Sequence, residues 1–549
     1  MGLISFVGFT LLVAVIAWYA TRNTNEATED GYFLGGRSLT AGVIAGSLLL
    51  TNLSTEQIVG LNGSAYKDGL SVMAWETLAA IAIVVTAVFL LPRYLKGGLT
   101  TVPQFLARRF DVTTKTITSG LFLTGYVVVL LPVILYSGSV AISGMFDVPA
   151  LLGVSETQAL IYCVVGIGVI GSIYAVFGGL KAVAVSDSIN AIGLLIGGII
   201  IPIFGLMAIG DGSVFGGLET LVNANPERFD STGNHGQEVP FSTIFTGMML
   251  VQLFYWGTNQ QIIQRALAAK SLAEGQKGLM LAAFIKILGP LILVLPGMIA
   301  YHYFDGNLPS SDVAYPELVR AVLPKSLVGF FAAVLFGAIL SSFNSVLNSS
   351  VTLFGIDIYK QHINPSADEK TVVMYGKAFG IFLAVLAMII APLIANAGSL
   401  FAYLQEINGI YSIPIFTIIV VGYLTKRVPA IAAKIGILSG SILYIISQFI
   451  MKPRFVAEAL ANAEANGITD AAQLRLIEAD AYPHYLHVMA ILFATNILIM
   501  LIIGKIKPRE EAYVQKYTKQ VNIEPWKYVY QVGALVVLVV VAIYIYFAK

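Results

Sequence analysis

Long apolar segments recur along this chain, and their length constrains the fold more than any other feature. A helix that crosses a bilayer needs about 20 consecutive apolar residues, and windows of about 19 residues find fourteen such segments in the sequence. Only 11% of the residues are charged, against about 25% in a soluble protein. The sequence therefore predicts an all-α multi-pass membrane protein. The fourteen predicted spans are 3–20, 38–66, 71–95, 117–145, 157–177, 185–209, 241–266, 274–303, 325–358, 372–395, 398–425, 430–451, 484–506 and 526–547.

The basic residues lie mainly on one side of the predicted bundle. Of the 32 Lys and Arg residues, 23 fall on one side (Arg265 among them), 8 fall on the other, and Lys286 lies inside a span. Because loops rich in Lys and Arg stay in the cytoplasm, this distribution predicts a plasma (inner) membrane protein with both termini outside. The segment Leu3–Ala20 has no basic start and no cleavage site after it, so we interpret it as a retained helix rather than a signal peptide.

The composition also argues against several classes of function. A net charge of +1 argues against a nucleic-acid partner. The single cysteine, Cys163, excludes a disulfide framework and a Cys-based metal site. The phosphate loop of the simplest ATP-driven pumps is missing from the sequence. We see no nucleophile–base pair and no metal cluster, so we do not expect an enzyme.

A polar stretch, Leu50–Gly60, interrupts the second predicted span. It places Glu56 among Thr, Asn, Ser and Gln side chains within a segment that is otherwise apolar enough to cross the bilayer. A charge at the centre of a spanning helix costs roughly 2.5–3.5 kcal/mol on insertion scales. Either the helix is broken here, which frees carbonyls for an ion, or these side chains face a watery cavity. Both alternatives indicate a transport site, and we expect Glu56 itself to be structural, capping or bridging neighbouring helices.

A second polar interruption lies five spans later, in Gln252–Gln264, where Gly257 to Gln261 break an apolar span. Two interrupted spans in corresponding places of two five-helix halves are typical of inverted-repeat transporters. The alternative is ordinary polar contact between helices, which is common in large bundles. Polar contact between helices explains one interrupted span more easily than it explains two interrupted spans in corresponding places.

Two ionisable side chains, Glu76 and Lys286, lie within predicted spans. Each is costly in the membrane when unpaired, so the economical arrangement has both facing one polar cavity together with a polyhydroxylated ligand. Lys286 could instead extend to the cytoplasmic edge. Gln405 and Glu406 form a further polar pair, and Tyr255 and Trp256 beside the second break would either stack on a flat ligand or simply pack.

Adjacent serines in the span 325–358, Ser341 and Ser342, indicate a sodium site. Hard cations bind oxygen, and hydroxyls together with the carbonyls of an unwound helix suit sodium without a full negative charge. Taken alone the pair is weak evidence, because most serines in membrane helices hydrogen-bond the carbonyl four residues earlier.

Five stretches of the sequence are specific in combination, although each alone is not. They are Tyr32–Leu39, Asn52–Gln57, Tyr174–Asp187, Tyr255–Arg265 and Asp357–Lys360. Together they resemble the sodium/solute symporter family, and within it the sodium/glucose and bacterial sodium/galactose cotransporters. The resemblance covers nearly the whole chain, including the first span.

This resemblance implies the leucine-transporter fold, with solute and sodium bound at mid-membrane. The whole chain, residues 1–549, is then one membrane transporter domain. Its expected parts are an extra N-terminal helix at 3–20, a first inverted repeat at 38–209, a second inverted repeat at 241–425 and three C-terminal helices at 430–547.

Carried over position by position, the resemblance also implies site residues. The expected sodium ligands are the carbonyls of Leu50, Leu53 and Ala338 and the hydroxyls of Ser341 and Ser342. The expected sugar contacts are Asn52, Gln57, Trp75, Glu76, Gln252, Lys286 and Gln405, with Tyr255 as an aromatic gate on the cytoplasmic side. The presence of Glu76, Lys286 and Gln405 together favours a hexose-like solute.

Several positions depart from the family. Trp75, Ala79 and Gln252 stand where the bacterial galactose transporter has Tyr, Ser and Asn. A site built around one hydroxyl rejects the wrong epimer strongly. These changes should therefore reshape hydroxyl recognition, and galactose itself does not follow from the resemblance.

Some relatives hold a second sodium near the position of Asp187. In this chain Asp187 and Ser345 would be its ligands, with Asn344 beside them. Ser186 and Asn190 replace the usual Thr and Gln around Asp187.

The sequence thus predicts sodium-coupled symport of a monosaccharide, such as galactose or glucose, into the cell by alternating access. The expected partners are the sodium ion, the sugar and the lipid bilayer. The alternative is a sodium symporter of another small solute, such as an inositol, a nucleoside or an organic acid. A sensor would need an appended soluble domain, and only two residues follow Phe547.

Overall fold

The computed structural model describes residues 2–22, 28–396 and 400–548, and this part of the chain is almost entirely helical. A helix satisfies its own backbone N–H and C=O groups, which the bilayer interior requires. The prediction of an all-α multi-pass membrane protein is confirmed. The predicted span 398–425 begins at residues 398–399, which lie outside the described residues.

The first 210 residues carry the N-terminal helix and the elements around the first break. Their helices are α1 Gly2–Thr21, α2 Glu29–Leu34, α3 Ala41–Asn52, α4 Thr55–Asp68, α5 Ala74–Val85, α6 Leu91–Gly97, α7 Val102–Arg109, α8 Val112–Gly125, α9 Leu131–Phe146, α10 Val148–Leu152 and α11 Glu156–Ile209.

The middle of the chain carries the second break. Its helices are α12 Val214–Ala224, α13 Phe241–Thr243, α14 Met249–Gly257, α15 Gln260–Leu267, α16 Leu272–Ile287, α17 Gly289–Leu293, α18 Leu295–Tyr303, α19 Ala314–Val322, α20 Lys325–Thr352, α21 Glu369–Ile390 and α22 Leu400–Leu424.

The last part carries three long helices and a polar insertion. The helices are α23 Ala430–Ile445, α24 Lys452–Ala465, α25 Ala471–Ala481, α26 Tyr485–Ile506 and α27 Val529–Phe547. The insertion at 452–482, expected from its sequence to be a solvated helix, forms the two mostly exposed helices α24 and α25, which are separated by a turn at Gly467.

Ten helical segments of the described residues are long and apolar enough to cross a membrane, and the bent pair α16 with α17–α18 adds an eleventh. The apolar helix α3 falls below the length that such a span needs, because a break ends it at Asn52. A span that is broken into two short helices is not counted among these long helices. The count of fourteen spans therefore stays a prediction.

Helix α11 holds two of the predicted spans. It has 54 residues, which at 1.5 Å per residue is about 80 Å, far more than the roughly 30 Å of a bilayer core. Its two apolar parts are Glu156–Ile173 and Leu180–Ile209. Gly171 lies against Phe343 and Gly197 lies against Phe331. These glycines are about 39 Å apart along a straight helix and the two phenylalanines only about 18 Å, so α11 is not straight between Gly171 and Gly197.

The two breaks lie in the interior of the bundle. Helix α3 packs against α11, α16 and α20, while α14 packs against α5 and α22. Side chains near the C-terminal ends of α3 and α14 are therefore brought close to α5, α16 and α20, which carry the ionisable and hydroxyl groups singled out in the sequence.

Candidate functional site

The first polar stretch is a true break in a helix. Leu53 has φ −76° and ψ 56°, and Ser54 has an extended backbone with φ −78° and ψ 170°. In a continuous helix the carbonyl of Leu50 would accept a hydrogen bond from the amide of Ser54, four residues on. The extended backbone at Ser54 removes that donor, so the carbonyls at the end of α3 are freed from the helical pattern.

The serine pair of α20 lies against this break. Ser342 Oγ donates to the carbonyl of Thr51 at 3.3 Å. The Ser341 hydroxyl is buried, interacts with the Asp187 carboxylate and lines the same small cavity as that residue. Ala338 is fully buried one turn earlier. Buried hydroxyls beside freed carbonyls are the oxygen set that sodium prefers, so these residues fit the ion.

The second break separates α14 from α15. Thr258 and Asn259 interrupt the helix, and the Asn259 side chain accepts a hydrogen bond from the amide of Gln261. Tyr94 Oη donates to the carbonyl of Gly257 at 2.9 Å, which satisfies one of the acceptors that the break frees. This break is thus held by side chains of neighbouring helices.

Five of the expected solute contacts form one continuous network, which we call the polar cluster: Asn52, Gln57, Glu76, Tyr255 and Lys286. Lys286 Nζ contacts both Asn52 Oδ1 and Glu76 Oε2. Gln57 Nε2 donates to Glu76 Oε1 at 2.8 Å, and Asn52 Nδ2 donates to Tyr255 Oη at 3.4 Å. Lys286 is 1% exposed, so the alternative that it extends to the cytoplasmic edge is wrong.

Gln252 and Trp75 lie beside the polar cluster but contact each other. Gln252 Nε2 donates to the carbonyl of Trp75 at 2.8 Å, and Gln252 Oε1 accepts from Trp256 Nε1 at 3.2 Å. The Trp256 ring is buried with its centre 5.6 Å from Lys286 Nζ, so packing is the better interpretation for this ring. The Gln252 amide is therefore already engaged by protein groups at both ends.

Gln405 stands apart from the polar cluster. It is half-buried on α22, and none of the hydrogen bonds among the described residues joins it to the cluster. Its neighbour Glu406 forms an ion pair with Lys452 at 2.8 Å, toward the polar insertion. The two members of this predicted polar pair therefore do not act together.

Glu56 lies in the first turn of α4, where the positive end of the helix dipole stabilises a carboxylate. The side chain is buried, and its Oε2 makes no hydrogen bond within the described part of the chain. This position suits a capping role, and that role stays a prediction.

Sequence reasoning missed a second buried network, which we call the Arg265 cluster: Ser47, Thr51, Asp187, Arg265 and Ser345. Arg265 Nε donates to Ser47 Oγ at 3.2 Å, and its Nη2 contacts Ser345 Oγ. Ser47 Oγ donates to Asp187 Oδ2 at 2.7 Å, and Thr51 Oγ1 lies 3.0 Å from Ser345 Oγ. The distribution of Lys and Arg places Arg265 on the cytoplasmic side, and in the structure its side chain is fully buried. Its place directly after the second break was the available signal.

Comparison with known families and sequences gives consistent results. The model of the sodium:solute symporter family matches residues 32–442. The chain is 47% identical over 528 residues to the uncharacterized symporter YidK of Escherichia coli (strain K12), covering 96% of this chain and 87% of that protein. It is 33% identical over 468 residues to the sodium/glucose cotransporter of Vibrio parahaemolyticus, covering 80% and 84%. It is 30% identical to the sodium/myo-inositol cotransporter 2 of Oryctolagus cuniculus, covering 79% and 68%.

Solved structures share the fold at low sequence identity. A Na⁺-coupled sialic acid symporter in an outward-open state superposes with a TM-score of 0.68 at 18% identity, covering 90% of this chain and 98% of that one. Mhp1, a nucleobase-cation-symport-1 family transporter in a closed conformation, gives 0.51 at 14% identity, covering 86% and 95%. These similarities confirm the fold that the sequence resemblance implied.

Proposed function

The chain belongs to the sodium:solute symporter family, and we propose that it carries a monosaccharide into the cell together with sodium. Sodium is its coupling ion. The proposal concerns the solute, the residues that bind it, and the way in which ion and solute are coupled.

The polar cluster is the observation that carries the choice of solute. Glu76 and Lys286 neutralise each other, so the cluster offers no net charge to an ionic substrate. Together with Asn52 and Gln57 they present donors and acceptors side by side. A polyhydroxylated ring has both donors and acceptors on each hydroxyl and can replace these contacts one for one. A site of this kind discriminates by hydrogen bonding, because a missing hydroxyl leaves its buried groups unpaired.

An organic acid is a weaker candidate. A carboxylate is usually bound by an unpaired cation, most often a bidentate Arg. Arg265 is the buried arginine of this region, and its guanidinium is engaged by Ser47, Ser345 and the carbonyl of Gln261. A hydroxyl-rich neutral solute fits the polar cluster better than an acid does.

Coupling follows from the position of the first break. The expected sodium ligands Leu50 and Leu53 flank Asn52, and Asn52 contacts Lys286 in the polar cluster. Sodium held by these carbonyls and by Ser341 and Ser342 would fix the break in one conformation and so position Asn52 for the solute. This is a coupling free energy between two sites, and by linkage it is reciprocal. Under an inside-negative potential each inward sodium contributes about 2.3 kcal/mol per 100 mV.

We further propose the transport geometry that the sequence predicts. Residues 38–209 and 241–425 form inverted repeats, and Tyr255 covers the cytoplasmic side of the solute during alternating access. The protein lies in the plasma (inner) membrane with both termini outside, as the distribution of Lys and Arg favours.

A second candidate solute is myo-inositol. The similarity to a sodium/myo-inositol cotransporter favours it, and the donors and acceptors of the polar cluster suit the hydroxyls that myo-inositol carries on every ring carbon. Glucose, galactose and myo-inositol differ in hydroxyl orientation and in the ring oxygen, so direct competition separates them.

The test is uptake into proteoliposomes that contain the purified protein. Labelled glucose, galactose and myo-inositol are offered with an inward sodium gradient, with an equal potassium gradient and with no gradient. We expect accumulation of one of these solutes in the sodium condition alone. Uptake that is indifferent to sodium would contradict the proposed coupling, and sodium-driven uptake of an organic acid but of none of the three would contradict the proposed solute.

A further inference from the structure

Arg265 lies at the centre of the Arg265 cluster and joins four helices. It belongs to α15, directly after the second break, and its partners Ser47 and Ser345 belong to α3 and α20. Through Ser47 it is linked to Asp187 of α11. Its third donor, Nη1, contacts the carbonyl of Gln261 in its own helix. All four side chains of this arrangement, Ser47, Asp187, Arg265 and Ser345, are at most 1% exposed.

The charges of this cluster are already balanced. A carboxylate buried in the membrane needs a compensating positive charge. Asp187 has one in Arg265, because the Ser47 hydroxyl donates to Asp187 Oδ2 and accepts from Arg265 Nε. Arginine stays protonated under all physiological conditions. The guanidinium is therefore a permanent counter-ion of Asp187, held one hydroxyl away.

The same arrangement changes what Ser345 can do. Its oxygen contacts the Arg265 guanidinium and lies 3.0 Å from Thr51 Oγ1. A cation coordinated by Ser345 would therefore lie against a fixed positive charge in a region of low dielectric, where such repulsion is strong. Asp187 and Ser345, the residues expected for a second sodium, do not fit a second ion while Arg265 is in this position.

A small cavity beside Asp187 does not alter this conclusion. It has a volume of about 20 Å³ and is lined by Asp187, Ser341, Asn190 and Asn344, among others. That volume suits one water molecule or one small ion, so size alone does not select the occupant. A second cation held between Asp187 and Ser345, in addition to the sodium at Ser341 and Ser342, would add an uncompensated charge to a neutral pair.

We propose that Arg265 is the resident cation of the Asp187 pocket, and that the symporter therefore couples each solute to one sodium ion. This inference rests on the proposed function. The single mobile sodium uses the neutral oxygens of the first break with Ser341 and Ser342, and one net positive charge crosses the membrane with each neutral solute.

The stoichiometry is measured on the wild-type protein in proteoliposomes at zero membrane potential. A tenfold sodium gradient supplies about 1.4 kcal/mol per ion, so one ion sustains about tenfold solute accumulation and two ions sustain about a hundredfold. We expect the tenfold value. A hundredfold accumulation overturns the inference while leaving sodium-coupled symport intact, whereas accumulation without any sodium gradient overturns the proposed function itself.

Sodium binding tests the role of Arg265 independently of transport. The melting temperature of the purified protein is titrated with sodium at constant ionic strength, with choline replacing sodium. We expect a Hill coefficient of about 1 for the wild type and for Arg265→Lys, and a value that rises toward about 2 for Arg265→Gln, because removing the guanidinium exposes Asp187 to a second ion. The double variant Arg265→Gln/Asp187→Asn should return to about 1. An Arg265→Gln protein that is folded and keeps the wild-type coefficient contradicts the inference, as does a wild-type coefficient near 2.

Discussion

Lys286 and Glu76 form an ion pair across 210 residues of sequence, and both side chains are almost completely buried. Gly289, one turn after Lys286, allows this approach, because a Cβ at that position would overlap the Glu76 carboxylate. The pair joins α5 to α16, and Lys286 also contacts Asn52 at the end of α3. The ionisable groups that are costly in a bilayer are thus combined into one neutral unit at the first break.

Breaking this pair should destabilise the protein strongly. Removing one partner leaves an uncompensated buried charge, which typically costs about 3–5 kcal/mol. We expect Glu76→Gln and Lys286→Met each to lower the free energy of unfolding by about that amount, and the double variant to lose clearly less than the sum. Chemical unfolding in detergent micelles measures all three changes.

A matched control for the ion pair lies on the same helix. Lys277 pairs with Glu274 at 3.1 Å, and the Lys277 side chain is 43% exposed. Exposed pairs contribute about 0–1 kcal/mol, so Lys277→Met should change stability little. Additive losses in the Glu76 and Lys286 double variant would mean that the two side chains are not coupled.

Gln57 should matter for the solute and not for the ion. Its amide donates to Glu76 Oε1 at 2.8 Å and is partly exposed, so a solute hydroxyl can reach it. We expect Gln57→Ala to abolish measurable sugar uptake, since one lost hydrogen bond to a charged partner costs about 1.5–3 kcal/mol and loosens Glu76 as well. The sodium dependence of the melting temperature should remain in this variant. Gln473→Ala, on the exposed face of α25, is the control and should change neither sugar uptake nor the sodium dependence.

Ser342 should show the opposite behaviour. Ser342→Ala removes one oxygen from the expected sodium site. We expect the sodium concentration for half-maximal uptake to rise about tenfold. At saturating sodium, the solute concentration that competes for half of the uptake should stay unchanged. Ser350→Ala is the control on the same helix, since its hydroxyl only donates to the carbonyl of Val346 at 2.8 Å. If Gln57→Ala and Ser342→Ala both lose only sodium affinity, the proposed division between solute and ion residues is wrong.

The two helix breaks and the ion pair could be predicted from the sequence, because polar and charged side chains within apolar spans are costly in a bilayer. A polar stretch such as Leu50–Gly60 in an apolar span has few physical explanations, and two charges as costly as Glu76 and Lys286 have strong reason to meet. The family resemblance then placed Asn52 and Tyr255 in the same network, where the structure also brings them together.

The rest depends on tertiary packing, which sequence patterns do not contain. Arg265 follows directly after a break and counts among the cytoplasmic charges of the sequence, yet packing of α15 against α3 and α20 buries it completely. Gln252 is expected from the sequence to contact the solute, and that contact stays a prediction; in the structure its amide donates to the Trp75 carbonyl, a partner that the sequence does not indicate. Hydrogen-bond partners of this kind depend on side-chain conformations and on contacts between helices. Spans that are distant in the sequence form these contacts only when the protein folds.

Glu238, in the loop before α13, predicts a dependence of stability on pH. Burial raises the pKa of this carboxyl from its ordinary value of 4.5 to about 7, and the nearby Asp68 carboxylate adds to the rise. A hydrogen bond from Ser64 and the positive charges of Lys67 and Arg475 lower the pKa and so oppose this rise. The folded protein therefore binds more protons than the unfolded chain between about pH 4.5 and 7. Its stability should fall as the pH rises through this window. Melting temperatures between pH 5 and 8 should show this slope in the wild type and a flatter one in Glu238→Gln. Glu227→Gln, an exposed carboxyl in the same loop, should keep the wild-type slope, and an equal slope in Glu238→Gln would assign the dependence to another group.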